Sequence, residues 1–530
     1  MTQDFDQRRA LLVAGGVLAI LGSLLVVGAG TFGIWDHWEL NRADEARQLL
    51  SGDAIEVTHP MLGSWLVAMG FETFGVAEWA GRAPIALFGL LAVVFAYLLV
   101  ARFVGRRAGI YAAIVAGTSP LFVFNSRLML GEAPAFFAQA ALALSAGMLV
   151  FYAPSVQRVV TRSTGEGPYR AAERRETVSN GGAWIRVGIW SAVTLLALAF
   201  AVSARGALLG ALPPLFGVVA AGWFGTRDLG GNRQRQVALG LLTALTCIVT
   251  YQVFVAVSAD ADEYSMWLGG RPRGGDPPTF EVAIETIFHS FAPWSALLPF
   301  ALGRLLVGVH REPTESEEGT DWSGAFRLML IVWLSAGYGA LTLFGSRYGA
   351  STYIPVVALA AAIAVMLHDA ERTTEDRKGS WWAAAVIAGL FTGLIIRDYR
   401  LYPDSPVAGL GLSDLTLDPE TFEMTTYWPV ALAIFAATAV VTFSAVGRPA
   451  RPWVEVSKTF RKGSGFLSAL AENGLDLRAP YRLIRTQWAR GLEFKAWLVF
   501  IAVLLGLGLL FGILCFIPPI AEVLTTIVVK

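Results

Sequence analysis

Charge is scarce in this sequence. Only 15% of its 530 residues are Asp, Glu, Lys or Arg, against roughly 25% in ordinary soluble domains. That is too little polar surface to cover a soluble globule, and it excludes both a cytosolic enzyme and a disordered chain. The 41 basic and 41 acidic residues cancel, so no basic field exists to drive nucleic-acid binding. Cysteine is limited to Cys247 and Cys515, both in apolar runs. A disulfide framework and a cysteine-based zinc site are thereby excluded. There is no HExxH pair, no Gly-rich phosphate loop in a polar stretch, and no repeat at solenoid or propeller period. What remains is apolar: 55% of the chain, arranged in long runs. The class this leaves is an all-α polytopic membrane protein.

A crossing helix needs about 20 mostly apolar residues. Thirteen runs qualify, near 10–33, 80–101, 108–125, 133–152, 187–203, 207–224, 237–257, 290–308, 327–345, 351–367, 381–396, 428–446 and 496–517. With the N-terminus cytoplasmic, 30 of the 41 Lys and Arg fall inside and 11 outside. The inverted arrangement reverses that ratio, so the positive-inside rule selects the first. Most loop carboxylates then face outward, including those of the first outer loop, 34–79, and Glu132. The other long outer segments are 258–289 and 397–427. Chemistry is expected on the outer face.

In the first outer loop, residues 42–50 read as a short helix closed by Ser51 and Gly52. Ala43, Ala46, Leu49 and Leu50 form its apolar stripe, as in a helix lying at an interface. Asp44 and Glu45 are expected on its first turn, where the helix dipole favours ionised carboxylates. Asp44 reads either as a catalytic base, taking a proton from an attacking acceptor, or as a cap on a surface helix. Met61 to Phe74 is too short to span and too apolar for water, and reads as a second interfacial helix.

Several segments follow one another with a recognisable spacing: ADEARQLLSGD from Ala43, HPMLGSWLVAMGFETFGVAEWAGRAPIAL from His59, and RRAGIYAAIVAGTSPLFVFNSRLMLGEAPAFF from Arg106. SARGALLGALPPL, FAPWSALLP and FGSRYGASTYIPVVALAAA continue the series. The chain resembles, over roughly residues 35–365, the bacterial branch of the protein O-mannosyltransferase and lipid A aminoarabinose transferase superfamily. These are GT-C glycosyltransferases that use polyprenyl-phosphate-linked sugars. The resemblance implies a GT-C-like transmembrane module within 1–446; the charge and apolar patterns add a cytoplasmic amphipathic linker at 447–493 and a last membrane helix in 494–530. It implies inverting transfer to a lipid, glycan or protein on the outer face of a bacterial cytoplasmic membrane. By the same resemblance Asp44 is the catalytic carboxylate, with Glu45 beside it. Glu132 stands where the family commonly has Asp before a residue and Pro. Thr58 stands where many relatives have Glu, which puts a family-type metal site in doubt.

The residues themselves supply cations for a lipid phosphate. Arg127, Arg205 and Arg347 each lie in a very short outer connection, and three such loops can converge on one phosphate. The alternative for each is snorkelling to the nearest lipid headgroup. Arg82 reads as an interface anchor. Tyr348 and Tyr353 either hydrogen-bond the donor or belong to the aromatic belt. His289 and His59 are candidate ligands of a divalent metal ion, alone or with Glu132, and equally read as hydrogen-bonded interface histidines. A transporter or lipid flippase is the competing class, although no half-to-half similarity and little mid-helix charge support it.

Overall fold

The computed structural model describes residues 2–31, 33–34, 38–53, 59–153, 182–226, 233–259, 265–269, 280–308, 315–316, 319–349, 351–373, 378–402, 405–410 and 424–446. Thr58, residues 260–264 and 270–279 of the 258–289 segment, the expected linker 447–493 and the expected last span in 494–530 lie outside the described residues. The fold is almost entirely helical. Its one described strand pairing is a two-residue antiparallel bridge, Glu315–Ser316 with Gly319–Thr320.

Helix α1 is Thr2–Val26. The loop after α1, expected to face outward, supplies α2, Trp38–Ser51, and α3, Leu62–Phe74. Then come α4 (Glu78–Phe103), α5 (Arg106–Thr118), α6 (Pro120–Arg127) and α7 (Ala133–Gly147). They are followed by α8 (Gly182–Arg205), α9 (Leu212–Gly225), α10 (Arg233–Ala259), the short α11 (Ser265–Leu268), α12 (Phe280–Ser290) and α13 (Leu298–Gly308). The remaining helices are α14 (Ser323–Tyr348), α15 (Val356–Arg372), α16 (Lys378–Leu401) and α17 (Met424–Val446).

Twelve of the thirteen expected spans overlap these helices. Among the described residues, by length and apolarity alone, five stretches qualify as crossings, or six counting α5 and α6, which bend by 65° at Ser119 before Pro120. That criterion does not reach thirteen. Part of the difference is geometric. The stretch Gly182–Gly225 passes as one run, but it holds both α8 and α9. The chain turns back between them: Arg205 leaves helical geometry at φ −150°, ψ +26°, and Gly206 takes φ +72°. A side chain on Gly210 would collide with the carbonyl oxygen of Ala201, so only a glycine lets the returning chain pack this close.

Apolar pattern decides which helices lie inside. Every residue of α15 from Val356 to Ala370 is buried, as expected of a helix that is apolar on all sides. It packs on α4, α5, α7, α13, α14 and α17. The α7 crossing is largely buried, whereas α8 is largely exposed and presents Ile185, Ile189, Leu195 and Leu196 outward, as a lipid-facing helix does.

Two polar belts lie at opposite ends of the bundle. At one end Asp369 accepts from Arg304 Nε at 2.8 Å and from Arg327 Nη2 at 2.8 and 2.9 Å, joining α13, α14 and α15. There too Arg186 donates to Ala153 O and Arg235 to Val150 O. Arg327 opens α14, and Phe344 lies in its last turns, roughly 25 Å further along at 1.5 Å per residue. The second belt sits at that far end and carries the candidate site.

Candidate active site

The connection between α1 and α4, which carries α2 and α3, is anchored by a buried ion pair. Helix α2 turns Glu39, Ala43 and Ala46 inward, at i, i+4 and i+7, and all three are fully buried. Glu39 meets Arg82, in the second turn of α4, in a bidentate contact: Nε to Oε1 at 3.0 Å and Nη2 to Oε2 at 2.6 Å. Arg82 also donates to the carbonyls of Ala29 and Gly33, each at 2.8 Å, past the end of α1. Glu39 Oε1 accepts the Met129 backbone N–H at 2.8 Å. One pair therefore ties α1, α2, α4 and the 128–132 connection together. Arg82 is thus not an interface anchor: it is 0% exposed, and its charge is met by a carboxylate rather than by lipid headgroups.

Helix α2 begins at Trp38, earlier than expected, so Glu39 is the acid of its first turn and Asp44 and Glu45 fall in the second. The dipole argument therefore belongs to Glu39. Glu45 faces α3. Arg42 Nη1 donates to Ser64 Oγ at 2.9 Å, Ser64 donates to Glu45 Oε2 at 2.7 Å, and His59 Nε2 lies 3.3 Å from the same oxygen. Burial alone would push the Glu45 carboxyl up. The His59 hydrogen bond, the Arg42 charge and the Ser64 hydroxyl outweigh it and hold the group at about 2. Asp44 points the other way. Its carboxylate is half exposed and accepts from Arg47 Nη1 at 3.1 Å, one turn on. Leu50, expected in the inward stripe, is exposed, while Leu49 packs against the Ala43–Ala46 cluster.

The short connections do converge, but not all of their arginines do. Glu132 Oε1 lies 3.1 Å from Arg205 Nη1, which joins the α6–α7 connection to the α8–α9 turn. Arg205 Nη2 donates to Ser351 Oγ at 2.7 Å, which adds the connection after α14. The guanidinium stands 5.7 Å from the ring centre of Phe344. Arg205 is 9% exposed, and its buried Nε has no hydrogen-bond partner among the described residues. Arg127 goes elsewhere. It donates to Leu24 O and, at 2.8 Å, to Val27 O, closing the carbonyl end of α1 as a cationic cap. Arg347 and Tyr348 form the last turn of α14, which brings their backbone to the Arg205 end. Their side chains lie outside the described residues. Tyr353 is buried, and its hydroxyl donates to Leu334 O at 3.1 Å, so it serves α14 rather than a belt at the surface.

The walls around Arg205 are specific. Gln139, fully buried on α7, donates to Leu209 O at 2.6 Å and accepts from Trp333 Nε1 at 3.0 Å. Residues 206–211 wind as a π-helical turn, and Gln139 takes up a carbonyl of that turn. Gly269, with Leu268 buried beside it, lies directly over the Arg205 carbonyl. This described part of the 258–289 segment is thus a cover on the turn. Thr352 Oγ1 donates to Leu410 O at 3.0 Å, and Leu410 packs with Leu128 and Val407, so residues 405–410 close the remaining side.

The proposed metal ligands have other partners. His289 places Nδ1 3.1 Å from Glu285 O and Nε2 3.2 Å from Asp398 Oδ2. His59 is held on Glu45. Among the described residues no group of three His, Cys, Asp or Glu side chains could hold a metal ion. The donor set present does not fit one, and no step below passes through a metal.

Sequence reasoning missed Glu39, Ser351 and Gln139. Glu39 could have been found from its register, since it continues the Ala43–Ala46 face one turn back. Ser351 carries no such signal, because its role depends on where distant turns meet.

Residues 58–155, from just before α3 to the end of the turn after α7, match the family of dolichyl-phosphate-mannose-protein mannosyltransferases. That stretch contains Arg82, Arg127 and Glu132 but neither Asp44 nor Arg205. An uncharacterized protein of Aquifex aeolicus is 30% identical over 114 residues, 20% of this chain, and the alignment spans only 23% of that relative's length. Among solved structures, ArnT from Cupriavidus metallidurans in the apo state superposes with a TM-score of 0.50 at 18% identity, covering 87% of this chain and 76% of ArnT. ArnT bound to undecaprenyl phosphate gives the same TM-score and identity, over 90% of this chain and 80% of ArnT. Residues 58–155, across α3–α7, are thus similar to the dolichyl-phosphate-mannose-protein mannosyltransferases, and the fold is similar to that of ArnT.

Proposed function

We propose that the chain transfers a sugar from a polyprenyl-phosphate carrier to a lipid, glycan or protein acceptor on the outer face of the bacterial cytoplasmic membrane. The N-terminus is inside, and transfer proceeds by single displacement with inversion. The observation that carries this reading is the junction of Glu132, Arg205 and Ser351, where three outer connections meet on one buried guanidinium. A desolvated arginine with an unused donor is suited to the phosphate of a lipid carrier, and it stabilises the charge that develops on that phosphate as it leaves. The capture of ArnT, at 18% identity, with undecaprenyl phosphate supports a polyprenyl phosphate as the carrier. Arg347 and Tyr348, in the same end of α14, are further candidates for the donor phosphate.

In this reading Glu132 holds the Arg205 guanidinium in place, and Asp44 is the base. On α2, Glu39 and Glu45 have their oxygens taken up by Arg82, Met129 N–H, Ser64 and His59, whereas Asp44 is half exposed and, among the described residues, meets only Arg47. It is the carboxylate of that helix with room to receive a proton from an acceptor. Asp44→Asn should abolish transfer from a labelled polyprenyl-phosphate sugar and leave the amount of folded protein unchanged. If Asp44→Asn keeps full turnover, Asp44 is not the base.

A further inference from the structure

The Arg205 guanidinium is a nearly complete binding group, and its surroundings specify what is missing. Nη1 is engaged by Glu132 and Nη2 by Ser351, while Nε is buried and has no acceptor among the described residues. An unpaired buried N–H costs on the order of 1–3 kcal/mol, so a ligand that supplies an oxygen there regains that energy. Ser351 is itself 8% exposed, and its oxygen is used as the acceptor for Nη2. A hydroxyl that accepts in this way still has its own proton to give, and that proton has no acceptor among the described residues. Ser351 cannot drift from the guanidinium. The next two residues are tied down, Thr352 to Leu410 O and Tyr353 to Leu334 O. The turn that follows Arg205 is held by Gln139 through the Leu209 carbonyl, and Gly269 packs closely against the Arg205 carbonyl.

We infer that Ser351 is a ligand of the donor phosphate, its hydroxyl and the Arg205 Nε–H forming a pair of donors that grip two oxygens of one tetrahedral anion. This rests on Arg205 being the donor-phosphate group. Glu132 stays on Nη1 throughout and is a positioning residue. Its contact fixes the guanidinium plane so that the Nε edge faces the anion. The arrangement favours a phosphate over an uncharged headgroup, because hydrogen bonds to anionic oxygens are charge-assisted and stronger than those to a neutral oxygen.

The test uses the full-length protein in nanodiscs, titrated with undecaprenyl phosphate and, separately, with the uncharged polyprenol of the same chain length. Ser351→Ala should weaken undecaprenyl phosphate binding roughly tenfold, the loss of one charge-assisted hydrogen bond, and leave polyprenol binding unchanged. Unchanged polyprenol binding also reports an intact fold. If Ser351→Ala loses both ligands, Ser351→Thr, which keeps the hydroxyl, is read in its place and should bind undecaprenyl phosphate within about threefold of wild type. Wild-type phosphate affinity in Ser351→Ala, with binding lost in Arg205→Ala, overturns the role of Ser351 and leaves the Arg205 reading standing. Wild-type affinity in both variants overturns the Arg205 reading itself.

Discussion

The Glu39–Arg82 pair lends itself to a quantitative test because both side chains are fully buried. Replacing Glu39 by Leu removes the counter-charge of Arg82 and the acceptor of the Met129 N–H. Breaking a buried pair from one side costs about 3–5 kcal/mol, since the remaining charge cannot reach water. Arg82→Met strands the Glu39 carboxylate in the same way, and frees the carbonyls of Ala29 and Gly33. The double replacement removes both charges, so it should not cost the sum. It still leaves the Met129 N–H and two carbonyls without these partners, so it should lie about 1–3 kcal/mol below wild type rather than level with it. Unfolding in mixed detergent micelles, followed by far-ultraviolet circular dichroism, gives the four free energies of the cycle. The reasoning fails if each single variant costs under about 1 kcal/mol, or if the two costs simply add.

Other outcomes follow from the same contacts. Glu45 has a folded value of about 2 against an ordinary 4.5, so its contribution is fully present above pH 4.5 and is lost as pH falls toward 2. Glu45→Gln should remove on the order of 1–2 kcal/mol of that pH dependence after solvent screening, seen as a smaller difference between melts at pH 6 and pH 3. Arg127→Ala should loosen the end of α1, with faster amide exchange at 27–30 and about 1–2 kcal/mol of lost stability. Its affinity for undecaprenyl phosphate should stay at the wild-type value, because its donors are spent on Leu24 and Val27. Gln139→Leu strips Leu209 O and Trp333 Nε1 of their partner and should cost roughly 2–4 kcal/mol. It should also weaken phosphate binding by freeing the turn that carries Arg205.

The helices were legible because a membrane helix is written in composition. The runs that became α4, α7, α10 and α14 are long and apolar. The Arg205–Gly206 turn was also readable, since a charge followed by glycine between two apolar runs has few other uses. Pairing was not legible. Glu132 and Arg205 stood out singly, but sequence spacing does not state that residues 73 positions apart share an ion pair. Arg127 looked equivalent to Arg205, and only the position of the α1 carbonyls separates a cap from a ligand. Arg82 misled for a related reason. A cation at the start of a span ordinarily reaches for headgroups, and here the buried Glu39 of α2 intercepts it. The α2 boundary moved because Trp38 and Glu39 pack inward as part of the helix, which a pattern begun at Arg42 does not capture.

The most direct test of the account is the rate of sugar transfer from a polyprenyl-phosphate donor by wild type and by Arg205→Gln, measured at subsaturating donor. Removing the buried guanidinium should lower kcat/KM by at least about a hundredfold, the usual consequence of losing a preorganised donor to developing oxyanion charge. A variant that transfers sugar within about twofold of wild type contradicts the account.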